Sequence, residues 1–182
     1  MYNKVEKKNS VQDIVFIGLI TAITCIAAPF SIPIPFSPVP ISLTNLVIYF
    51  SIILIGLRKG TVSYLVYLFI GLIGLPVFSG FSGGLSKIAG PTGGYLIGFI
   101  FMAIISGYFV EKFSGKLYMY VVGMVLGTIV DYAFGTIWLS YQLNLSFVQG
   151  LFMGVIPYII GDIIKIIIAV SVAPVIKKRI EK

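Results

Sequence analysis

The sequence lacks histidine altogether and contains a single cysteine, Cys25. Without histidine the chain has neither the commonest general base nor the commonest metal ligand, so no serine–histidine or cysteine–histidine catalytic pair exists. One cysteine excludes an internal disulfide and any cysteine cluster that would hold zinc or an iron–sulfur centre. We therefore expect no catalytic residues, no metal and no cofactor.

Charged residues are also scarce. They make up 10% of the chain, whereas 58% of its residues are hydrophobic. A soluble domain needs far more polar surface than this, so the composition alone predicts a protein of the lipid bilayer. The length of 182 residues is typical of one domain, and we expect a single integral membrane domain spanning 1–182.

Apolar segments long enough to cross about 30 Å of hydrocarbon occur six times. They cover approximately residues 12–30, 41–57, 61–78, 93–110, 117–140 and 148–175. This pattern predicts an all-α membrane protein, a bundle of six transmembrane helices. The basic N-terminus followed by apolar residues is also typical of a signal peptide, but no A-x-A-like cleavage site follows. We therefore expect the first segment to remain as a membrane helix.

The basic residues, thirteen against six acidic ones, are distributed unevenly between the loops. If the segments alternate in direction, one side receives Lys4, Lys7, Lys8, Arg58, Lys59, Lys112, Lys116, Lys177, Lys178, Arg179 and Lys182, and the other side receives only Lys87. This asymmetry predicts that both termini are cytoplasmic in a multi-pass protein. The positive charge then orients the protein and contacts acidic lipid heads of the bilayer, and it does not indicate nucleic-acid binding.

Two loops on the opposite side are unusually apolar. "PFSIPIPFSPVP" holds five of the nine prolines, so it cannot be helical and is expected to run extended. "GLPVFSGFSGGLSKIAGPTGGY" holds seven glycines and one charge, without the lysine and serine or threonine spacing of a phosphate-binding loop. Irregular apolar backbone near a membrane is tolerated where it lines a cavity or is buried. The two outer loops are thus predicted to cap a ligand site; the alternative is that they only join helices.

Asp162 and Lys165, in "YIIGDIIKIII", are the strongest candidates for chemistry. A charge at this depth is costly, and residues three apart share one helical face. Intramembrane charges usually mark functional sites, although an ion pair that pins the bundle is the alternative. Pro157 is expected to kink the same helix. Asp131 is a third buried candidate, which serves either as a second counter-ion for Lys165 or as part of a polar cavity.

The chain resembles the BioY family in "GLPVFSGFSGGLSKIAGPTGGYLIGF", in the upstream "IPIPFSPVPISL" and in the downstream G-D-I-I-K. Members of this family are the biotin-specific S-components of energy-coupling factor (ECF) transporters in prokaryotic plasma membranes. The resemblance implies a six-helix bundle that binds biotin as its transported substrate and is not an enzyme. It also implies a transmembrane coupling protein and two cytosolic ATPases as partners. Gly18 and Ala22, four residues apart on the first helix, are similar to the small residues that contact the coupling protein.

Biotin carries a ureido ring with two N–H donors and one carbonyl, an apolar thioether ring and a carboxylate. Asp162 is expected to accept from the ureido N–H groups and Lys165 to donate to an oxygen, while glycine backbone and aromatic walls hold the rest. Thr44 occupies a place at which family members often carry glutamine, and Asn45 follows it. The expected ligand-binding residues are Asp162, Lys165, Tyr158, Phe78, Phe81, Gly83, Gly84, Lys87, Thr92, Gly93, Gly94, Tyr95, Thr44 and Asn45.

Three alternatives remain at this point. An S-component for another vitamin would share the architecture but not the ligand. A structural membrane subunit would have no ligand of its own. A self-sufficient biotin carrier would work without ATPases.

Overall fold

The computed structural model describes the backbone of residues 3–180 and the side chains of residues 11–180. The chain is predominantly helical, which confirms the expected class. Its elements are α1 (Asn3–Ala27), β1 (Ser31–Ile34), β2 (Ser37–Ser42), α2 (Thr44–Leu72), α3 (Leu85–Ala89), α4 (Gly93–Lys112), α5 (Leu117–Leu143), α6 (Phe147–Gly154), a 3₁₀ turn (Ile156–Tyr158) and α7 (Ile159–Ile180).

Within residues 3–180, four helical stretches are long and apolar enough to cross a membrane. They are Thr44–Leu72, Gly93–Lys112, Leu117–Leu143 and Phe147–Ile180, and α1 adds a shorter apolar stretch at Val11–Ala27. The multi-pass class is thus supported, but the predicted count of six spans is not confirmed. The difference has two sources: the second and third predicted spans, 41–57 and 61–78, fall within one element, α2, and the apolar stretch of α1 is shorter than the four long ones.

Gly56 divides α2 into two limbs. Its φ of 85° and ψ of 172° lie outside the helical region, in a conformation that glycine adopts without strain. A Cβ placed on Gly60 would lie 3.2 Å from the backbone nitrogen of Ile52, so the second limb folds back along the first. Glu111 of α4 supports the reversal, because its Oε1 accepts a hydrogen bond of 2.8 Å from the backbone N–H of Leu57.

The last predicted span, 148–175, is interrupted as expected near Pro157. Ser146 and Gln149 form a capping box that starts α6, and this helix ends at Gly154. The chain then makes the 3₁₀ turn, in which Pro157 is one of the first residues and Tyr158 N–H donates to the carbonyl of Val155 at 2.9 Å. Proline has no N–H and clashes with the preceding helical turn, which accounts for the break.

The proline-rich loop is extended, as predicted, and forms the antiparallel hairpin β1–β2. Ser31 pairs with Ser42 and Ile32 with Ile41, with an irregularity before the pairing of Ile34 with Ser37. The hydroxyl of Tyr158 donates to the carbonyl oxygen of Val39 and lies 2.8 Å from Ser37 Oγ. This contact attaches the hairpin to the segment that begins α7.

Charged residues outside the cavity and the glycine-rich loop collect at the end of the bundle away from the hairpin. Asp13 of α1 forms an ion pair with Lys59 of α2. Lys59, Glu111 and Lys177 line one groove at this end. Glu111 lies sixteen positions after Tyr95 in α4, which corresponds to a rise of about 24 Å along the helix. This grouping agrees with the sorting of charges by loop, although Lys182 and the side chains of Lys4, Lys7 and Lys8 lie outside the described residues.

Candidate ligand-binding site

Asp162, Lys165 and Asn45 form a closed hydrogen-bonded ring between α2 and α7. Lys165 Nζ lies 2.9 Å from Asp162 Oδ1 and 3.0 Å from the side-chain oxygen of Asn45. The amide nitrogen of Asn45 in turn donates to Asp162 Oδ1 at 2.8 Å. Asp162 is 7% exposed, so this is a buried charge pair, and the neutral amide supplies both a donor and an acceptor to it.

Tyr132 of α5 completes the surroundings of the carboxylate. Its hydroxyl donates to Asp162 Oδ2 at 2.5 Å, a short distance that is typical of a charge-assisted hydrogen bond. We did not predict this residue from the sequence. The available signal was its position beside Asp131, where a polar aromatic residue lies in the middle of an apolar segment.

The ring lies in the wall of a cavity beneath the hairpin. Including its open mouth, the cavity encloses about 630 Å³, and its walls are more apolar than polar, as small-molecule sites usually are. The lining residues are Val39, Pro40, Ile41, Ser42, Thr44, Asn45, Tyr67, Ser79, Thr92, Tyr95, Leu96, Phe99, Asp131, Tyr132, Gly154, Tyr158, Asp162 and Lys165.

Seven of the residues expected to bind ligand line this cavity. They are Thr44, Asn45, Thr92, Tyr95, Tyr158, Asp162 and Lys165. The sequence reading missed the contributions of strand β2 and of Tyr67, Ser79 and Phe99. These residues depend on tertiary packing, because α2, the glycine-rich loop and α4 must meet before their side chains share one wall.

Phe78 and Phe81 do not line the cavity. Phe78 is fully buried, and its ring packs edge-on against Tyr67 and over Gly71, where a Cβ would overlap the ring. It therefore lies behind the cavity wall. Phe81 is largely exposed and contacts Phe30 with its ring edge, which joins the glycine-rich loop to the start of the hairpin segment.

Four glycines of the predicted set also lie outside the cavity lining, and each serves the path of the backbone. A Cβ on Gly83 would overlap the carbonyl of Leu75, and one on Gly93 would overlap the carbonyl of Ile88. A Cβ on Gly94 would overlap Trp138 of α5. Gly84 has a φ of 88° where α3 begins. In this structure the glycines allow close packing of protein on protein, whereas the sequence favoured close approach of a ligand.

Lys87 is the remaining member of the predicted set and belongs to the short helix α3. It does not line the cavity, and partial burial lowers the pKa of its ammonium group below the usual value. The glycine-rich loop that carries Lys87 is fixed to α5 by two hydrogen bonds. Trp138 Nε1 donates to the backbone carbonyl of Gly90 at 2.9 Å. The side-chain amide of Gln142 donates to the backbone carbonyl of Ala89 at 2.7 Å.

Asp131 lies in the cavity wall, and in the described part of the chain the ion pair of Lys165 is made with Asp162 instead. Of the two roles considered for Asp131, the structure therefore supports the polar cavity. The side chain is 3% exposed, and its Oδ1 has no hydrogen-bond partner within the described residues.

Gly18 and Ala22 lie on an open face of α1. A Cβ on Gly18 would meet no atom within 4 Å, and Ala22 is exposed. The opposite face of α1 is attached to α2 through Thr21, whose hydroxyl donates to the carbonyl of Ser63 at 3.1 Å. The face with the small residues is flanked by the exposed apolar side chains of Ile14, Val15, Leu19 and Ile26.

Residues 2–182 match the family model of the BioY family. The chain belongs to the BioY family. Among its relatives in that family, the "Biotin transporter BioY" of Thermotoga maritima is 34% identical over 161 residues, which are 88% of this chain and 93% of that protein. The "Biotin transporter BioY" of Rhizobium etli is 36% identical over 169 residues, 88% of this chain and 90% of the relative.

A solved structure shares the BioY-family fold of this chain. It is described as the crystal structure of the S-component for biotin from an ECF-type ABC transporter. The two chains are 34% identical, and the similarity has a TM-score of 0.86 over 98% of this chain and 95% of the other. The similarity therefore extends over the hairpin, the glycine-rich loop and the helices that line the cavity.

Proposed function

We propose that this chain captures biotin and takes it across the membrane as the S-component of an ECF-type ABC transporter. The observation that carries the proposal is the ring of Asn45, Asp162 and Lys165 in the wall of a cavity beneath the hairpin, in a fold similar to that of a biotin S-component. The names of the relatives from Thermotoga maritima and Rhizobium etli support biotin as the substrate.

The lining of the cavity suits the parts of the biotin molecule. Tyr67, Leu96 and Phe99 offer apolar surface to the fused rings and to the thioether. An ammonium has three donors, and Lys165 uses two of them within the ring of side chains. The third is available for an oxygen of the ligand.

The hairpin and the glycine-rich loop act as a lid and a cradle over the bound ligand. Four successive residues of the hairpin segment, 39–42, line the cavity, as does Ser79 of the glycine-rich loop. The hydroxyl of Tyr158 tethers the hairpin to the 3₁₀ turn. Because strand pairing keeps the hairpin intact, release of this tether lets it move as one piece for ligand entry.

The chain forms one integral membrane domain, residues 1–182, with six crossings. These are α1, the two limbs of α2 on either side of Gly56, α4, α5, and α6 together with α7. Both termini face the cytoplasm of a prokaryotic cell, because this direction places the basic residues inside. The hairpin then faces outward, where biotin arrives.

The partners are a transmembrane coupling protein and two cytosolic ATPases. The sequence has no ATP-binding loop of the G-x-x-x-x-G-K-[ST] type, so energy must come from another chain. The open face around Gly18 and Ala22 is the surface for the coupling protein, since small residues let another helix approach closely.

Biotin binding by the detergent-purified chain alone tests the proposal. We expect binding without ATP, measured by calorimetry and by thermal stabilisation. At a free biotin concentration 100 times the Kd, the stabilisation should be about 2.7 kcal/mol. Thiamine and riboflavin serve as control ligands. Folded, monodisperse protein that responds to neither method would refute the assignment, and stabilisation by another vitamin instead would identify an S-component for that vitamin.

A further inference from the structure

Asp131 contributes its side chain to the cavity wall and has a carboxyl oxygen, Oδ1, that is buried against Gly98 and unpaired among the described residues. Only 3% of the residue is exposed. A buried carboxyl group without partners destabilises the folded protein, because it has lost its contacts with water and gained none in return. A group that is kept at such a cost in a ligand cavity indicates a role in binding.

Asp162, by contrast, is largely saturated. A carboxylate has about four lone-pair sites. Oδ1 of Asp162 already accepts from Asn45 and from Lys165, and Oδ2 accepts from Tyr132. The carboxylate of Asp162 thus has about one acceptor site left for a ligand, and much of its capacity positions the ammonium of Lys165.

The surroundings of Asp131 hold the carboxyl group in place without bonding to it. A Cβ on Gly98 of α4 would overlap Asp131 Oδ1, so the glycine provides the space that this oxygen occupies. The hydroxyl of Thr128, one turn earlier on α5, pairs with the hydroxyl of Tyr49 at 2.6 Å and donates to the carbonyl of Met124 at 2.7 Å. That hydroxyl is therefore already engaged by other partners.

We propose that Asp131 accepts a hydrogen bond from an N–H group of the bound ligand and so selects ligands that carry such a donor. The inference rests on the proposed function, in which the ligand is biotin and the only N–H groups are those of the ureido ring. Two carboxylates then divide the work. Asp162 holds Lys165 and Asn45 in their orientation and has one acceptor site left for one ureido N–H, and Asp131 accepts from the other.

The test is a cycle of one protein variant and one change of ligand. The variant is Asp131→Asn, and Asp13→Asn is the matched control, because Asp13 pairs with Lys59 away from the cavity. The ligands are biotin and its two cyclic carbamate analogues, in each of which a ring oxygen replaces one ureido N–H. These analogues keep the shape of biotin but remove one donor, and competition against biotin measures their affinities.

We expect Asp131→Asn to lower the affinity for biotin about tenfold, since the amide places N–H donors where the carboxyl group offered an acceptor, and the loss of one hydrogen bond has about this effect. One of the two carbamates should bind the wild-type chain weakly and lose nothing further in the variant, which is the signature of a direct contact. Asp13→Asn should bind all three ligands like the wild type. Without ligand, Asp131→Asn should melt at or above the temperature of the wild type, because a buried carboxyl group whose Oδ1 has no partner is removed.

Gly98→Ala provides a second variant. The added methyl group would overlap Oδ1 of Asp131 and crowd its Cα at 3.0 Å, so biotin affinity should fall although Asp131 itself is retained, and the melting temperature without ligand shows how much of the effect is loss of packing between α4 and α5.

Several results would overturn the inference. One is unchanged biotin affinity in Asp131→Asn, and another is an equal loss of affinity for biotin and both carbamates. A variant that fails to fold, or that melts well below the wild type without ligand, would assign Asp131 a structural role instead. If the wild-type chain binds no biotin at all, the proposed function fails and the inference with it. Normal wild-type binding with no effect of Asp131→Asn refutes only the inference.

Discussion

The side-chain oxygen of Asn45 accepts a hydrogen bond of 3.0 Å from Lys165 Nζ, although the two residues are 120 positions apart in the chain. This contact joins the start of α2 to α7 across the cavity wall. The nitrogen of the same amide donates to Asp162, so one neutral side chain fixes the positions of both charged groups of the pair.

Asn45→Ala should reduce both stability and biotin affinity. The substitution leaves Lys165 and Asp162 each without one buried partner, which costs about 1–3 kcal/mol. Thermal unfolding without ligand and calorimetric titration with biotin measure the two effects. Gln12→Ala, which removes an exposed amide on α1, is the control and should change neither. Unchanged stability in Asn45→Ala would mean that the ring does not exist in solution.

Exchanging the two charges, by Asp162→Lys with Lys165→Asp, should not restore biotin binding. The pair would still be neutral, but ligand N–H groups would face an ammonium, which has no acceptor. Each single variant leaves one buried charge unpaired, a change that costs about 3–5 kcal/mol. Binding must therefore be measured on protein shown to be folded. A folded exchange variant with near-native affinity would show that the two residues form only a structural ion pair.

Asp162→Asn should weaken biotin binding while the fold survives. The amide keeps nearly the same shape, but it replaces charge-assisted hydrogen bonds with neutral ones, which are roughly half as strong. Biotin titration of the folded variant, next to the melting temperature without ligand, separates the two contributions. Equal affinities of variant and wild type would exclude a charge-dependent role for this carboxylate.

Gly18→Leu or Ala22→Leu should impair biotin uptake by cells and leave biotin binding intact. A bulky side chain on the open face of α1 holds a partner helix away, whereas the cavity lies elsewhere. Val125→Leu, which enlarges an exposed side chain of α5, is the matched control. Lost binding together with normal assembly would place this face in the ligand site and contradict the proposed partner surface.

Tyr158→Phe should accelerate the dissociation of biotin. The change removes the hydroxyl that attaches the hairpin to the 3₁₀ turn, at a cost of about 1 kcal/mol in stability. Stopped-flow or filter-binding kinetics measure the dissociation rate. Tyr141→Phe, at a residue that is 79% exposed, should leave the rate unchanged. An unaltered rate in Tyr158→Phe would show that the hairpin does not limit ligand exit.

Several features of this protein followed from its sequence. The helical membrane class and the extended proline-rich loop are consequences of hydrophobic run length and of proline geometry, which act locally. Asp162 and Lys165 were identifiable because a charge in hydrocarbon is expensive and therefore unusual. The break at Pro157 follows from the missing N–H.

Other features depend on which elements meet and could not be read from local patterns. Tyr132 gains its role only because α5 packs beside α7. Gly93 and Gly94 were expected to approach a ligand, but their missing side chains make room for Ile88 and Trp138. A glycine in a sequence indicates that another group approaches the backbone closely, but it does not indicate whether that group is a ligand or another part of the protein. The reversal near Gly56 was predicted, because the spans 41–57 and 61–78 end and begin within a few residues of it, but the sequence did not predict that a single glycine would make the turn without a loop.

This reversal has a consequence for the biosynthesis of the protein. The two limbs of α2 are joined at Gly56 without a connecting loop. One limb therefore cannot remain at the membrane surface while the other inserts. We therefore expect the two limbs, residues 44–72, to enter the bilayer together. Since Glu111 closes the turn, the pair is completed only after α4 has been synthesised, and α4 should recruit it during assembly.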